Sequence, residues 1–179
     1  MLLKFNKKRG SDLKSVLFLD IDGVLNSKKW EKDHIRQLQE KKQIDPEAVK
    51  KLAKIVKSTG AIIILHSGWR FWFDQSMNPI REESQYLVNL FHKQKLKMKG
   101  VTPDLTTKEI RRTKKFSLVK ADEILLWLKN HPNYQKWLVL DDLELHNNEV
   151  EKHQIRTYSR IGISEEDVEK AINLLNTNE

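Results

Sequence analysis

Apolar residues crowd into a few short runs, and the polar residues that close those runs carry most of the candidate chemistry. Residues 15–22 form one such run, ending in Asp20 and Asp22 and followed by Gly23. It does not alternate polar with apolar, which predicts a strand buried on both faces. Residues 61–65 form a second run, closed by His66, Ser67 and Gly68, and residues 137–140 a third, closed by Asp141 and Asp142. Between the first two, Asp45, Pro46 and Glu47 have the composition of a helix start. Ala48, Val49, Leu52, Ile55 and Val56 follow at helical spacing, and Gly60 ends the segment. Strand, helix, strand of this size predicts a βαβ unit and hence an α/β fold with a parallel sheet.

Further helices are expected over residues 81–92, residues 119–128 and from Ser164 onward, where Ser164 and Asp167 have the spacing of a capping box. Residues 155–158 read as a fourth strand. Residues 27–42 are polar and mixed, anchored only by Trp30, Ile35 and Leu38. From Lys93 to Lys99, lysines alternate with Gln94, Leu96 and Met98, so an extended segment would line up Lys93, Lys95, Lys97 and Lys99 on one face.

The 179 residues favour one domain, and no apolar run approaches a membrane span. The absence of cysteine excludes a disulfide scaffold, a thiolate metal site and a cysteine nucleophile. Residues 1–14 are basic without a signal-like apolar stretch. They are expected to be a flexible lead-in to a domain over 15–176, in a protein that is cytoplasmic and monomeric by default. The net charge is +8, and its placement is more informative than its total. Residues 81–120 carry +7 and residues 121–179 carry −6.

In a parallel sheet the carboxyl ends of the strands share one edge, where ligands bind. Asp20, Asp22, Asp141 and Asp142 are therefore expected to meet Ser67 in one cleft. Four carboxylates in one cleft need a compensating positive charge. With no cysteine and no suitably spaced histidine pair, an all-oxygen site suits Mg²⁺, with an anionic substrate, most naturally a phosphate, completing its shell. Asp20 and Asp22, two apart on a strand, point the same way, so one can attack phosphorus and the other can move the proton. Gly23 permits a sharp turn, Ser67 and neighbouring N–H groups can hold phosphoryl oxygens, and Lys120 is placed to neutralise phosphoryl charge.

Asp20-Ile21-Asp22-Gly23-Val24-Leu25-Asn26 resembles motif I of the haloacid dehalogenase-like (HAD) superfamily. Leu65-His66-Ser67-Gly68 resembles motif II, Lys120 motif III and Leu140-Asp141-Asp142 motif IV. Trp69 and Arg70 after Ser67-Gly68, residues 100–103, Glu123-Ile124 with Trp127-Leu128, and Gly162-Ile163-Ser164 with Asp167-Val168 are similar to the small HAD domains found alone and in multi-domain RNA-repair proteins. The resemblance spans about residues 15–175. It implies a three-layer, Rossmann-like parallel sheet with helices on both faces. It also implies Asp20 as the phosphorylated nucleophile, Asp22 as general acid and base, and Mg²⁺ held by Asp20, the Asp22 carbonyl and Asp142 or Asp141. His66 stands where relatives often carry Ser or Thr, so Ser67, with Gly68, is the expected phosphate-binding position. Lys120 stands where relatives often carry Arg.

Neither gap between the motifs is large enough for a full cap domain; residues 71–119 read as a basic insertion. An open cleft suits a large substrate, and the charge map favours terminal phosphates of nucleic acid, in a repair or processing role. Lys93, Lys95, Lys97, Lys99, Arg111, Arg112, Lys114 and Lys115 are the candidate backbone contacts, and Trp69 and Trp72 the candidate base-stacking rings. Trp69 also suits simple packing, Arg70 suits either substrate phosphate or a structural acid, and lysines on an edge strand guard it against mispairing. A small-molecule phosphatase or nucleotidase of the same mechanism, and a non-catalytic nucleic-acid-binding module, are the alternatives. RNA and DNA, and 5′ and 3′ ends, stay equally open.

Overall fold

The computed structural model describes residues 14–177. Its frame is a five-stranded, all-parallel sheet in the order β3-β2-β1-β4-β5. The strands are β1 (Lys14–Leu19), β2 (Ile62–Leu65), β3 (Met98–Val101), β4 (Tyr134–Asp141) and β5 (Gln154–Arg156). β1 is central and pairs with β2 on one side and β4 on the other. The chain first builds outward through β2 and β3, then returns to lay β4 against β1. The strand order therefore reverses at the β1–β4 junction, the place where open α/β sheets bind ligands.

The apolar runs lack alternation because both faces of the sheet are covered. Leu17, Leu19, Ile63, Leu65, Leu138 and Leu140 belong to a core shared with α3 (Pro46–Thr59), α4 (Glu82–Lys93) and α8 (Glu165–Asn176). Val16, Phe18, Ile64 and Val139 point the other way, toward α6 (Ser117–Asn130) and α7 (Asn148–Glu151). On that side Phe18 meets Trp127 edge-on, with ring centroids 5.3 Å apart. The expected helix starts hold. Asp45 caps α3 through Glu47 N–H, Gly60 ends it in the left-handed region, and Ser164 and Asp167 form the capping box of α8.

Four details differ from the sequence reading. Lys14 already pairs in β1, opposite Tyr134, so the expected lead-in cannot extend to residue 14; the rest of it lies outside the described residues. Residues 71–119 are not an insertion, since α4 crosses from β2 to β3 and β3 completes one edge of the sheet. That leaves residues 102–116, including α5 (Lys108–Thr113), as the segment free to border a site. The four alternating lysines do not share a face. Lys93 is the last residue of α4 and Lys95 adopts φ 60°, so only Lys97 and Lys99 flank the buried Met98 at the sheet edge. Residues 27–42 carry two short helices, α1 (Lys28–Asp33) and α2 (Ile35–Gln39), neither with a buried residue. No helix among the described residues is long and apolar enough to cross a membrane.

Candidate active site

The sheet delivers its polar residues to one edge. Beyond the ends of the strands the ladder continues, with Asp20 N–H donating to Leu140 O at 2.9 Å and His66 N–H to Leu19 O at 2.7 Å. The residues that follow β1, β2 and β4 are thereby held side by side. Asp20, Asp22, Ser67, Gly68, Lys120 and Asp142 all border a single cleft of about 670 Å³ at this edge.

At its base lies a buried charge cluster. Lys120 Nζ donates to Asp20 Oδ2 at 2.7 Å and to Asp141 Oδ2, joining the ends of β1 and β4. Asp20 Oδ1 accepts Ile21 N–H at 2.8 Å, and Asp141 Oδ1 accepts Leu143 N–H at 2.9 Å. Burial alone would lower the Lys120 pKa, but Asp20 and Asp141 outweigh it and hold the ammonium charged. Burial and the charge of Asp20 push the Asp141 carboxyl up to about 7, against the pull of Lys120. Asp142 is likewise raised by burial and by Asp20. One lysine does not balance these acids. Oxygens of Asp20, Asp141 and Asp142 lie within 4.8 Å of one another, a hard donor set fitted to a divalent cation such as Mg²⁺.

The turn after β1 sets the position of Asp22. Gly23 has φ 75°, and a Cβ there would collide with the Asp142 carboxyl group. Glycine is thus required both by the turn and by the carboxylate lying against it. Gly23 N–H donates to Asn26 Oδ1 at 2.9 Å, and Asn26 Nδ2 donates to Asp22 Oδ1 at 2.8 Å. The indole N–H of Trp69 reaches the same carboxylate at 3.2–3.3 Å. Desolvation raises the Asp22 pKa, partly opposed by Asn26 and Trp69.

Ser67 is buried and caps a 3₁₀ turn, Gly68–Trp72, through Trp69 N–H at 3.4 Å. Arg70 leaves that turn to form a two-pronged ion pair with Glu123, both contacts 2.8 Å, while also donating to Thr102 and Asp104. Arg70 therefore has the structural acid foreseen for it, and it also borders the cleft. Its Nε borders no acceptor among the described residues. His66 is fully buried beside Thr102, and burial with the nearby Lys120 and Arg70 charges keeps it neutral.

Two groups of expected contacts fall elsewhere. Trp69 is only 2% exposed and is occupied by Asp22 and by Trp72, 4.5 Å away between centroids, so it has no face for a base. Trp72 packs against the core and beside Trp69 and is not among the cleft residues. Lys93, Lys95, Lys97 and Lys99 are also not cleft residues, whereas Arg111 is, with Arg112, Lys114 and Lys115 exposed beside it in the chain. The sequence reading missed Asn26, Thr102 and Glu123 as partners, and Phe71 and Phe116 as cleft residues. Asn26, Thr102 and Glu123 all lie within the segments that carry the family resemblance, and Glu123 lies one helical turn from Lys120, but no role was assigned to them.

No curated protein and no solved structure matches the chain. A family model does, over residues 16–168, a span holding every residue of the cleft floor. With that match and the parallel sheet beneath it, the chain belongs to the family described as the HAD domain in Swiss Army Knife RNA repair proteins.

Proposed function

We propose that the protein is a Mg²⁺-dependent phosphomonoester hydrolase acting through an aspartyl-phosphate, on terminal phosphates of nucleic acid. The observation that carries this reading is the meeting of Asp20, Asp22, Lys120 and Asp142 in one open cleft at the strand-order reversal. Asp20, the Asp22 carbonyl and Asp142 would hold the cation. Asp142 suits this better than Asp141, because Asp142 borders the cleft whereas Asp141 is fully buried and is not among the cleft residues. The ion, when bound, supplies charge neutralisation for the phosphoryl oxygens.

The residues divide the reaction between them. Ser67 and the N–H groups after it orient the phosphoryl group, and Lys120 offsets its charge while fixing Asp20. A carboxylate oxygen of Asp20 forms a bond to phosphorus as the ester P–O bond breaks. Asp22, whose pKa is raised by desolvation, gives its proton to the departing oxygen. It then takes a proton from water, whose oxygen attacks phosphorus and releases inorganic phosphate and the Asp20 carboxylate. Two supports favour nucleic acid: the family's RNA-repair setting, and the absence of a covering domain beside a basic segment among the described residues.

The test is phosphate release with Mg²⁺ from oligonucleotide ends, nucleotides and phosphopeptides. Asp20→Asn is expected to abolish release, and Asp22→Asn to slow it by about 10²–10⁴-fold on alkyl esters. The Asp22→Asn loss should be smaller with a leaving group that needs no proton. Full activity in Asp20→Asn would refute the mechanism, and no release from any of these substrates by the unmutated protein would leave a binding module. Nucleotides turned over as well as oligonucleotides, without salt dependence, would make it a small-molecule phosphatase.

A further inference from the structure

The floor of the cleft is charged, but its mouth carries two large rings. Phe71 is 49% exposed and Phe116 is 41% exposed, and both border the cleft. Neither belongs to the hydrophobic cores on the two faces of the sheet. Phe116 stands at the start of α6 with helical backbone angles, and its side chain makes no cap. Folding accounts for neither ring.

Cations flank Phe71. The guanidinium groups of Arg70 and Arg111 lie 5.0 and 5.7 Å from the centroid of Phe71. Arg70 is held away from solvent by Glu123, but the Arg111 side chain is 53% exposed and tethered to Asp104 by only one of its nitrogens. Exposed rings beside guanidinium groups, next to a run of basic residues, have the composition that grips single-stranded nucleic acid. The rings stack on bases and the cations follow the backbone.

Resting on the phosphatase reading above, we propose that Phe116 and Phe71 form a stacking site for the base of the terminal nucleoside in a single-stranded nucleic-acid end, with Arg111 on the adjoining backbone phosphate. The scissile phosphate then lies on Asp20 and the leaving nucleoside is gripped at the mouth. These rings take the part expected of Trp69 and Trp72 from the sequence pattern.

The test uses the full chain carrying Asp20→Asn, so that the phosphorylated end survives binding. A single-stranded oligonucleotide with a terminal phosphate, labelled at its far end, is titrated by fluorescence anisotropy against the same strand with an abasic terminal position. Loss of the base is expected to weaken Kd on the order of ten-fold. Adding Phe116→Ala or Phe71→Ala should weaken the intact strand similarly and leave the abasic strand unchanged, with an unaltered Tm. Arg111→Gln should weaken both strands alike. Equal binding of intact and abasic ends, equal losses on both, or the same Phe116 dependence for a phosphopeptide would overturn the stacking site. Turnover of the oligonucleotide and of glycerol phosphate by the Asp20 protein reads the chemistry separately. If neither is hydrolysed while the base dependence persists, the phosphatase reading fails and the stacking site stands. If both are hydrolysed without base dependence, the stacking site fails and the phosphatase reading stands.

Discussion

His66 is a histidine that the fold keeps uncharged. It is fully buried, with Nδ1 3.2 Å from Thr102 Oγ1, and burial and two nearby cations depress its pKa well below 6.5. A depressed pKa means that the unfolded chain binds this proton before the folded one does. The stability His66 contributes is therefore complete above pH 6.5 and lost as pH falls below it. Between pH 7.5 and 5.5, wild type should lose up to about 1.4 kcal/mol more stability than His66→Gln, since one pH unit within the window is worth that much. Urea melts at the two pH values measure the difference, and parallel losses would mean that His66 does not titrate with folding. The contrast with Asp20 and Asp22 shows what a sequence makes legible at this scale. Paired acids ending an apolar run stand out because nothing in a core explains them. A buried neutral histidine resembles any other until its cavity is known, and Asn26 matters only through its hydrogen bonds to Gly23 and Asp22.

At the scale of elements, the ion pair between Arg70 and Glu123 ties the 3₁₀ turn after β2 to α6. That link fixes Ser67 relative to Lys120, because Ser67 begins the turn and Lys120 lies three residues before Glu123. Glu123 also accepts Leu105 N–H at 3.0 Å, bringing the segment after β3 into the same joint. Arg70 and Glu123 have side chains only 7% and 1% exposed, so removing one partner strands a charge in the interior. Arg70→Met and Glu123→Leu should each cost about 3–5 kcal/mol, while the double variant carrying both should recover much of that. Denaturant melts decide this, and additive losses in the double variant would show that the two act independently. Elements buried on both faces or built on one apolar stripe, such as β1, α3 and β4, were legible because burial dictates their composition. β3 was not, because it is a four-residue edge strand with lysines beside Met98. α1 and α2 were not, because with no buried residue they carry no stripe to read.

Over the whole molecule, the net charge of +8 is useful only once divided by place. The lysine-rich segment that dominated the sequence count splits in three dimensions. Lys97 and Lys99 lie at the β3 edge, two strands and hence about 10 Å from β1, and neither borders the cleft. That distance is about one Debye length at physiological salt, so their pull on a bound strand is largely screened. Arg112, Lys114 and Lys115 lie in the chain between Arg111 and Phe116, both of which border the cleft. A nucleic-acid end seated on Asp20 should therefore release counterions at the second group and not the first. Each phosphate contact to a single strand contributes about 0.7 to the slope of log affinity against log salt. Arg112→Gln, Lys114→Gln and Lys115→Gln should each flatten that slope by up to this amount, whereas Lys97→Gln and Lys99→Gln should leave it unchanged. The measurement is oligonucleotide binding across a salt series for the five variants. A slope that responds to Lys97 and Lys99 instead would move the strand's path off the α5–α6 side and along the far edge of the sheet.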